Sequence, residues 1–135
     1  MRMGAWGHGS FDNDDAADWV QTFELHGVTA VVTTLERVAN FPKDEYLEAP
    51  ETSAAIAAAE VVAAVRDGDL ASLSDEARNA FATHQQSLTG SRMLELARQT
   101  VERILHQSEL KDLWEESAEG DMWVQGIGNL SSRLR

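Results

Sequence analysis

The residues of this 135-residue chain best suited to chemistry crowd together near its beginning. From Gly4 to Trp19 the sequence reads GAWGHGSFDNDDAADW and holds His8, Asp12, Asp14, Asp15 and Asp18. Clustered carboxylates bind hard divalent cations, and a histidine adds a nitrogen ligand. A second candidate is Glu60, which interrupts the apolar run AAIAAAEVVAAV between Ala54 and Val65. A carboxylate in such a run is costly unless paired, and burial shifts its pKa, as a general base or ligand requires. The candidate metal set is therefore His8, Asp14, Asp15 and Glu60, and the reaction class it implies is metal-dependent hydrolysis.

Each of these residues also has a purely structural reading, and that reading is the stronger one. Asp12 and Asp14 match the start of a calcium loop, but residue 16 is alanine and no glycine follows at 17. Gly4, Gly7 and Gly9 follow no strand and precede no phosphate-loop lysine, so they serve turns that tuck Trp6 into the core. Asp12 is the expected N-cap of a first helix, with Asp15 at the capping-box position and Asp14 beside it in the first turn. Asp18 falls away from the apolar stripe and is expected in solvent. Glu60 is expected to clamp the glycine-rich segment to a central helix, accepting from its backbone N–H groups, the Trp6 indole or His8. His84 and His106 form no H-E-x-x-H pattern, and no serine sits in a G-x-S-x-G elbow. His84 lies on an apolar face and reads as a core histidine. No cofactor motif is present, so none is assigned, and no catalytic residue is named.

The elements that must position these residues are helical. Ala16, Trp19, Val20 and Phe23 recur at helical spacing, and Gly27 is placed to end that helix. The segment 28–40 contains the β-branched VTAVVTT, yet Val28, Val32, Leu35 and Val38/Ala39 keep a helical period before Pro42. It is assigned to helix. Phe41 to Ser53 is read as a connection, with Thr52 or Ser53 capping a third helix that ends at Asp67–Gly68. That helix, about 53–67, is alanine-rich and apolar on nearly every side, which places it at the centre. Ser74 caps a fourth helix carrying Ala77, Ala80/Phe81, His84 and Leu88, and Gly90 breaks the chain. Leu94, Ala97, Val101, Ile104 and Leu105 mark a fifth. Ser108 caps a short helix with Leu110, Leu113 and Trp114, and Trp123, Ile127, Leu130 and Leu134 form a last stripe. The expected fold is all-α: a single compact domain over 1–135 with six or seven helices around the central one.

Composition limits the functions. The chain has 23 acidic and 11 basic residues, a net charge of −12 and no cysteine. Thiolate chemistry, disulfides and cysteine-type zinc sites are excluded. The negative field disfavours nucleic acid and anionic membrane and favours a basic protein partner. No secretory leader is read at the N-terminus and no run spans a bilayer, so a soluble, cytoplasmic protein is expected.

Three segments together resemble one bacterial family: MGAWGHGSFDNDDAADW (Met3–Trp19), YLEAPETSAAIAAAEVVAA (Tyr46–Ala64) and SELKDLWEES (Ser108–Ser117). It is the domain-of-unknown-function family 4259. The resemblance implies a small cytosolic bacterial protein whose family core begins near Met3, giving 3–135. It implies no activity, cofactor or catalytic residue. Its signature positions here are Trp6, Asp12, Asn13, Asp14, Asp18, Trp19 and Glu60.

The functional expectation is a non-enzymatic regulatory domain that binds another protein, a basic one by charge. The alternatives are the metal-dependent hydrolase above and a homo-oligomeric scaffold joined through Trp123, Ile127 and Leu130.

Overall fold

The computed structural model describes residues 9–89, 91–106 and 108–135. Trp6, His8 and Gly90 lie outside the described residues. The chain forms an all-α fold of seven α-helices among the described residues: α1 (Asp14–His26), α2 (Val28–Ala39), α3 (Ala49–Asp67), α4 (Asp75–His84), α5 (Ser91–His106), α6 (Glu109–Glu115) and α7 (Gly120–Arg133). A single 3-10 turn, Gln85–Ser87, extends α4.

Helix α3 is the axis of the molecule. It packs against α1, α2, α5, α6 and α7. Its alanines explain why so many neighbours fit: Ala55, Ala57, Ala58, Ala59 and Ala63 are fully buried and let adjacent helices approach closely. The helix is four residues longer at its start than the sequence suggests. Glu48, not Thr52 or Ser53, occupies the N-cap position, with Pro50 in the first turn. The acceptor comes from another part of the chain. Glu109 Oε1 takes the Ala49 N–H at 2.8 Å, while the Glu109 N–H donates to the Leu47 carbonyl at 2.8 Å. A carboxylate from α6 thus sits on the positive end of the α3 dipole. Thr52 and Ser53 are buried inside the helix.

Helix α1 also starts one residue away from expectation. Asn13 is its cap: Asn13 Oδ1 accepts from the Ala16 N–H at 2.8 Å. The capping-box position is then Ala16, so Asp15 has no reciprocal role. Asp12 instead closes the preceding turn, accepting from the Gly9 N–H at 3.2 Å. Ala16, Trp19, Val20 and Phe23 form the buried stripe. Trp19 and Phe23 stack at 5.3 Å, and the Trp19 indole donates to Thr34 Oγ1 at 2.8 Å. Gly27 joins α1 to α2 without a spacer, at φ 58°, a backbone region that side chains rarely adopt.

The ambiguous segment 28–40 is helical, and α2 presents a different edge from the expected one. Val31, Leu35 and Val38 are buried, whereas Val28 and Val32 are half-buried. Thr34 joins the inner face because the Trp19 indole needs an acceptor. Thr100 on α5 donates to the Leu35 carbonyl at 3.0 Å. The stripe of α7 faces inward: Trp123, Ile127, Leu130 and Leu134 are all buried, and Trp123 stacks on Trp114 at 6.4 Å. Trp123, Ile127 and Leu130, read from sequence as a seam between copies, are covered here by the same chain.

Candidate functional site

Glu60 lies midway along α3, 5% exposed, where a lone carboxylate would be strongly disfavoured. Three distant segments satisfy it. Ser10 Oγ, from the opening segment, donates to Oε2 at 2.5 Å. Ser72 Oγ, from the α3–α4 loop, donates to Oε1 at 3.0 Å. Arg133, in the last turn of α7, donates through Nη1 to Oε1 at 3.2 Å. Among the described residues the donors are Ser10, Ser72 and Arg133, while the expected Trp6 and His8 lie outside the described residues. Of the opening segment, Ser10 makes the contact, and the strongest charge comes from the far end of the chain.

Arg133 also ties down the loop after α3. Its Nε and Nη2 grip Asp67 at 2.8 and 3.1 Å in a forked pair, and Nη2 donates to the Asp69 carbonyl at 2.9 Å. These bonds hold the Asp67 carboxyl below its ordinary range. Glu60 moves the other way. Burial pushes its carboxyl up, against the opposing pull of Ser10, Ser72 and Arg133. No single motif encodes this cluster. Arg133 had one sequence signal, a basic residue at the end of an amphipathic helix, but that signal says nothing of its partner.

A cleft of about 360 Å³ opens above the cluster. Ser10, Glu60, Ser72 and Arg133 form its polar end, and α7 forms its long wall through Met122, Gly126 and Asn129.

The acidic residues of α1 stand apart from this site. Asp14 and Asp18 are exposed and Asp15 is half-buried. The Asp15 carboxyl is pushed up by partial burial and then by Asp18 and Asp14, its own helix neighbours. The charges that act on Glu60 are Arg133 and Asp67. Among the described residues no three His, Asp or Glu side chains, Asp14, Asp15 and Glu60 included, are placed to hold a metal ion, and His8 lies outside those residues. His84 is not a core residue either. It is half-buried, its Nε2 lies 2.8 Å from the Glu24 carbonyl, and its ring tilts against Phe23 at 5.7 Å. The Nε2 nitrogen must carry a proton to donate there, and the ring then closes the last turn of α1.

Buried Arg103, on α5, was not singled out by sequence. It donates to the carbonyls of Pro42 and Glu45 at 2.9 and 2.6 Å and lies over the Phe41 ring at 5.5 Å. It anchors the connection between α2 and α3. Tyr46, in the same connection, donates to Asp112 at 2.8 Å, and its hydroxyl pKa is pushed up to about 12, first by that bond.

The family model of domain of unknown function 4259 matches residues 4–126. The chain belongs to this family. The match ends inside α7, before Arg133, so the cation that completes the Glu60 cluster lies beyond the matched stretch. No curated protein and no solved structure matches the chain. No helix among the described residues is long and apolar enough to cross a membrane.

Proposed function

We propose that this protein is a non-enzymatic binding domain whose acidic surface engages a basic protein partner. The observation that carries this reading is how the chain spends its charges. Arg78, Arg92, Arg98, Lys111 and Arg133 stand in ion pairs with carboxylates of the same molecule. Arg103 is buried. Asp14, Asp18, Glu24, Glu116, Glu119 and Asp121 meanwhile face solvent. With a net charge of −12, the outward field is negative and steers cationic surfaces toward the protein.

The Glu60 cluster supports the same reading in a different way. A serine hydroxyl against a buried carboxylate resembles a nucleophile with its base. Ser72 and Arg133 on the same carboxylate, and the grip of Arg133 on Asp67, make it a tie between three segments of the fold.

The test is capture of partners from a cell extract on the immobilised protein, followed by direct titration of each purified partner at low and high salt. Basic partners whose affinity falls steeply with ionic strength are the expected result. Partners without positive charge, or binding indifferent to salt, would overturn the proposal.

A further inference from the structure

Resting on the reading of the chain as a partner-binding domain, we propose that the cleft along α7 is its docking groove. The occupant is a short partner segment that presents aliphatic side chains flanked by lysine or arginine.

The wall of the cleft differs from the rest of the surface. From Gly120 to Ser132, α7 carries one charged residue, Asp121, in a chain in which a quarter of all residues are charged. Met122 is 53% exposed on the rim, one of few large apolar side chains left in solvent. Methionine adapts its shape to whatever packs on it. Below it, Trp123, Ile127 and Leu130 contribute their edges to the floor. Gly126 leaves a gap in the wall, because a Cβ built there would touch nothing within 4 Å. An incoming backbone can therefore come directly against the helix. The space, about 360 Å³, is at the lower end of that used by small bound groups and suits one or two aliphatic side chains.

Charge selects what flanks those side chains. Among the described residues the cation at the polar end is Arg133, already held by Glu60 and Asp67. Asp67 and Asp69 are exposed beside it, and Asp121 stands exposed at the start of α7. The polar end of the cleft is thus net negative, with Glu60, Asp67 and Asp69 around the single guanidinium of Arg133, and Asp121 adjoins the rim residue Met122 in the chain. A lysine or arginine on either side of the buried aliphatic group meets an acidic partner, whereas a phosphate or an acidic segment is repelled.

The experiment measures binding of three labelled hexapeptides by fluorescence anisotropy: alternating Lys–Leu, alternating Lys–Ser and alternating Gln–Leu. Wild-type protein is compared with Gly126→Phe, which fills the gap, Met122→Lys, which puts a cation on the rim, and Gly126→Ala. These positions are exposed, and replacing a helical glycine favours the helix, so the variants retain the fold. The expected result is that Lys–Leu binds at least about tenfold tighter than either control peptide. Gly126→Phe and Met122→Lys then each weaken Lys–Leu binding by about tenfold, and Gly126→Ala, which adds a single methyl, weakens it less than Gly126→Phe does. Equal binding of Lys–Leu and Lys–Ser, indifferent to both cleft variants, would overturn the groove and leave the acidic binding surface standing. Equal binding of Gln–Leu and Lys–Leu would overturn the basic character of the occupant. Binding of none of the three would overturn the groove, and if captured partners also lack charge the underlying reading fails with it.

Discussion

Two regions of this molecule offer carboxylates for chemistry in the sequence, and the fold treats them in opposite ways. Asp14, Asp15 and Asp18 at the start of α1 are neighbours on one helix and face solvent or one another. Glu60 is one carboxylate in an apolar helix, yet it gathers hydroxyls from Ser10 and Ser72 and a guanidinium from Arg133. A dense local cluster of charge needs no tertiary partner, because water and the helix dipole already satisfy it. An isolated buried charge must recruit partners from elsewhere, and the chain is organised around that need.

The comparison is broken most directly at Glu60. Glu60→Ala leaves Ser10, Ser72 and part of Arg133 without their acceptor, and a loss of about 3 kcal/mol is expected in chemical denaturation. A loss below about 1 kcal/mol would place Glu60 in the same class as the α1 aspartates. Arg133→Met removes the cation but not the serines, and Asp67 and Asp69 can be rehydrated. About 2 kcal/mol is expected, measured the same way.

The pH dependence sharpens the contrast. Burial holds the folded Glu60 carboxyl above its ordinary value of 4.5. The folded state therefore takes up this proton at higher pH than the unfolded chain. The contribution of Glu60 is most favourable below 4.5 and is lost as pH rises through the raised value. Wild-type protein should accordingly gain stability relative to Glu60→Gln as pH falls from about 7 toward about 4.5. A gain in the opposite direction would mean that Arg133 outweighs burial. Asp67 works the other way. Its contribution is present above 3.8 and is lost as pH falls through its lowered value.

Smaller effects belong to α1. Asn13→Ala removes the helix cap and is expected to cost about 1 kcal/mol in thermal unfolding. Asp12→Ala, which loses only a turn closure, costs less, and a reversed order would restore Asp12 as the cap. Asp18→Ala should change stability by no more than about 0.5 kcal/mol, since the side chain is exposed and the effect it has on a neighbour is to help push the Asp15 carboxyl up.

The helices themselves were legible in the sequence because their signals are local. Ser74 and Ser108 cap where they are expected, accepting from Ala77 and Lys111. The stripe Ala16, Trp19, Val20 and Phe23 is the buried face of α1, and the ambiguous segment 28–40 obeys its helical period over its β-branched composition. The cap of α1 misses by one residue, Asn13 for Asp12, and the larger errors fall where a partner comes from far along the chain. Glu109 caps α3 across some sixty residues and moves its start to Ala49, which no local rule anticipates. The stripe of Trp123, Ile127 and Leu130 declares an apolar face, but not that this face is covered by the same chain.

Sequence alone determined that the protein is helical, that α3 is its centre and that Glu60 must be satisfied, because periodicity, capping and the cost of a buried charge act within a few residues. The tertiary structure alone decided which groups satisfy Glu60, that the α1 aspartates stay out of that site, and that a cleft remains along α7. Those outcomes depend on residues as far apart as Ser10 and Arg133 meeting in space, and packing, not local propensity, brings them together.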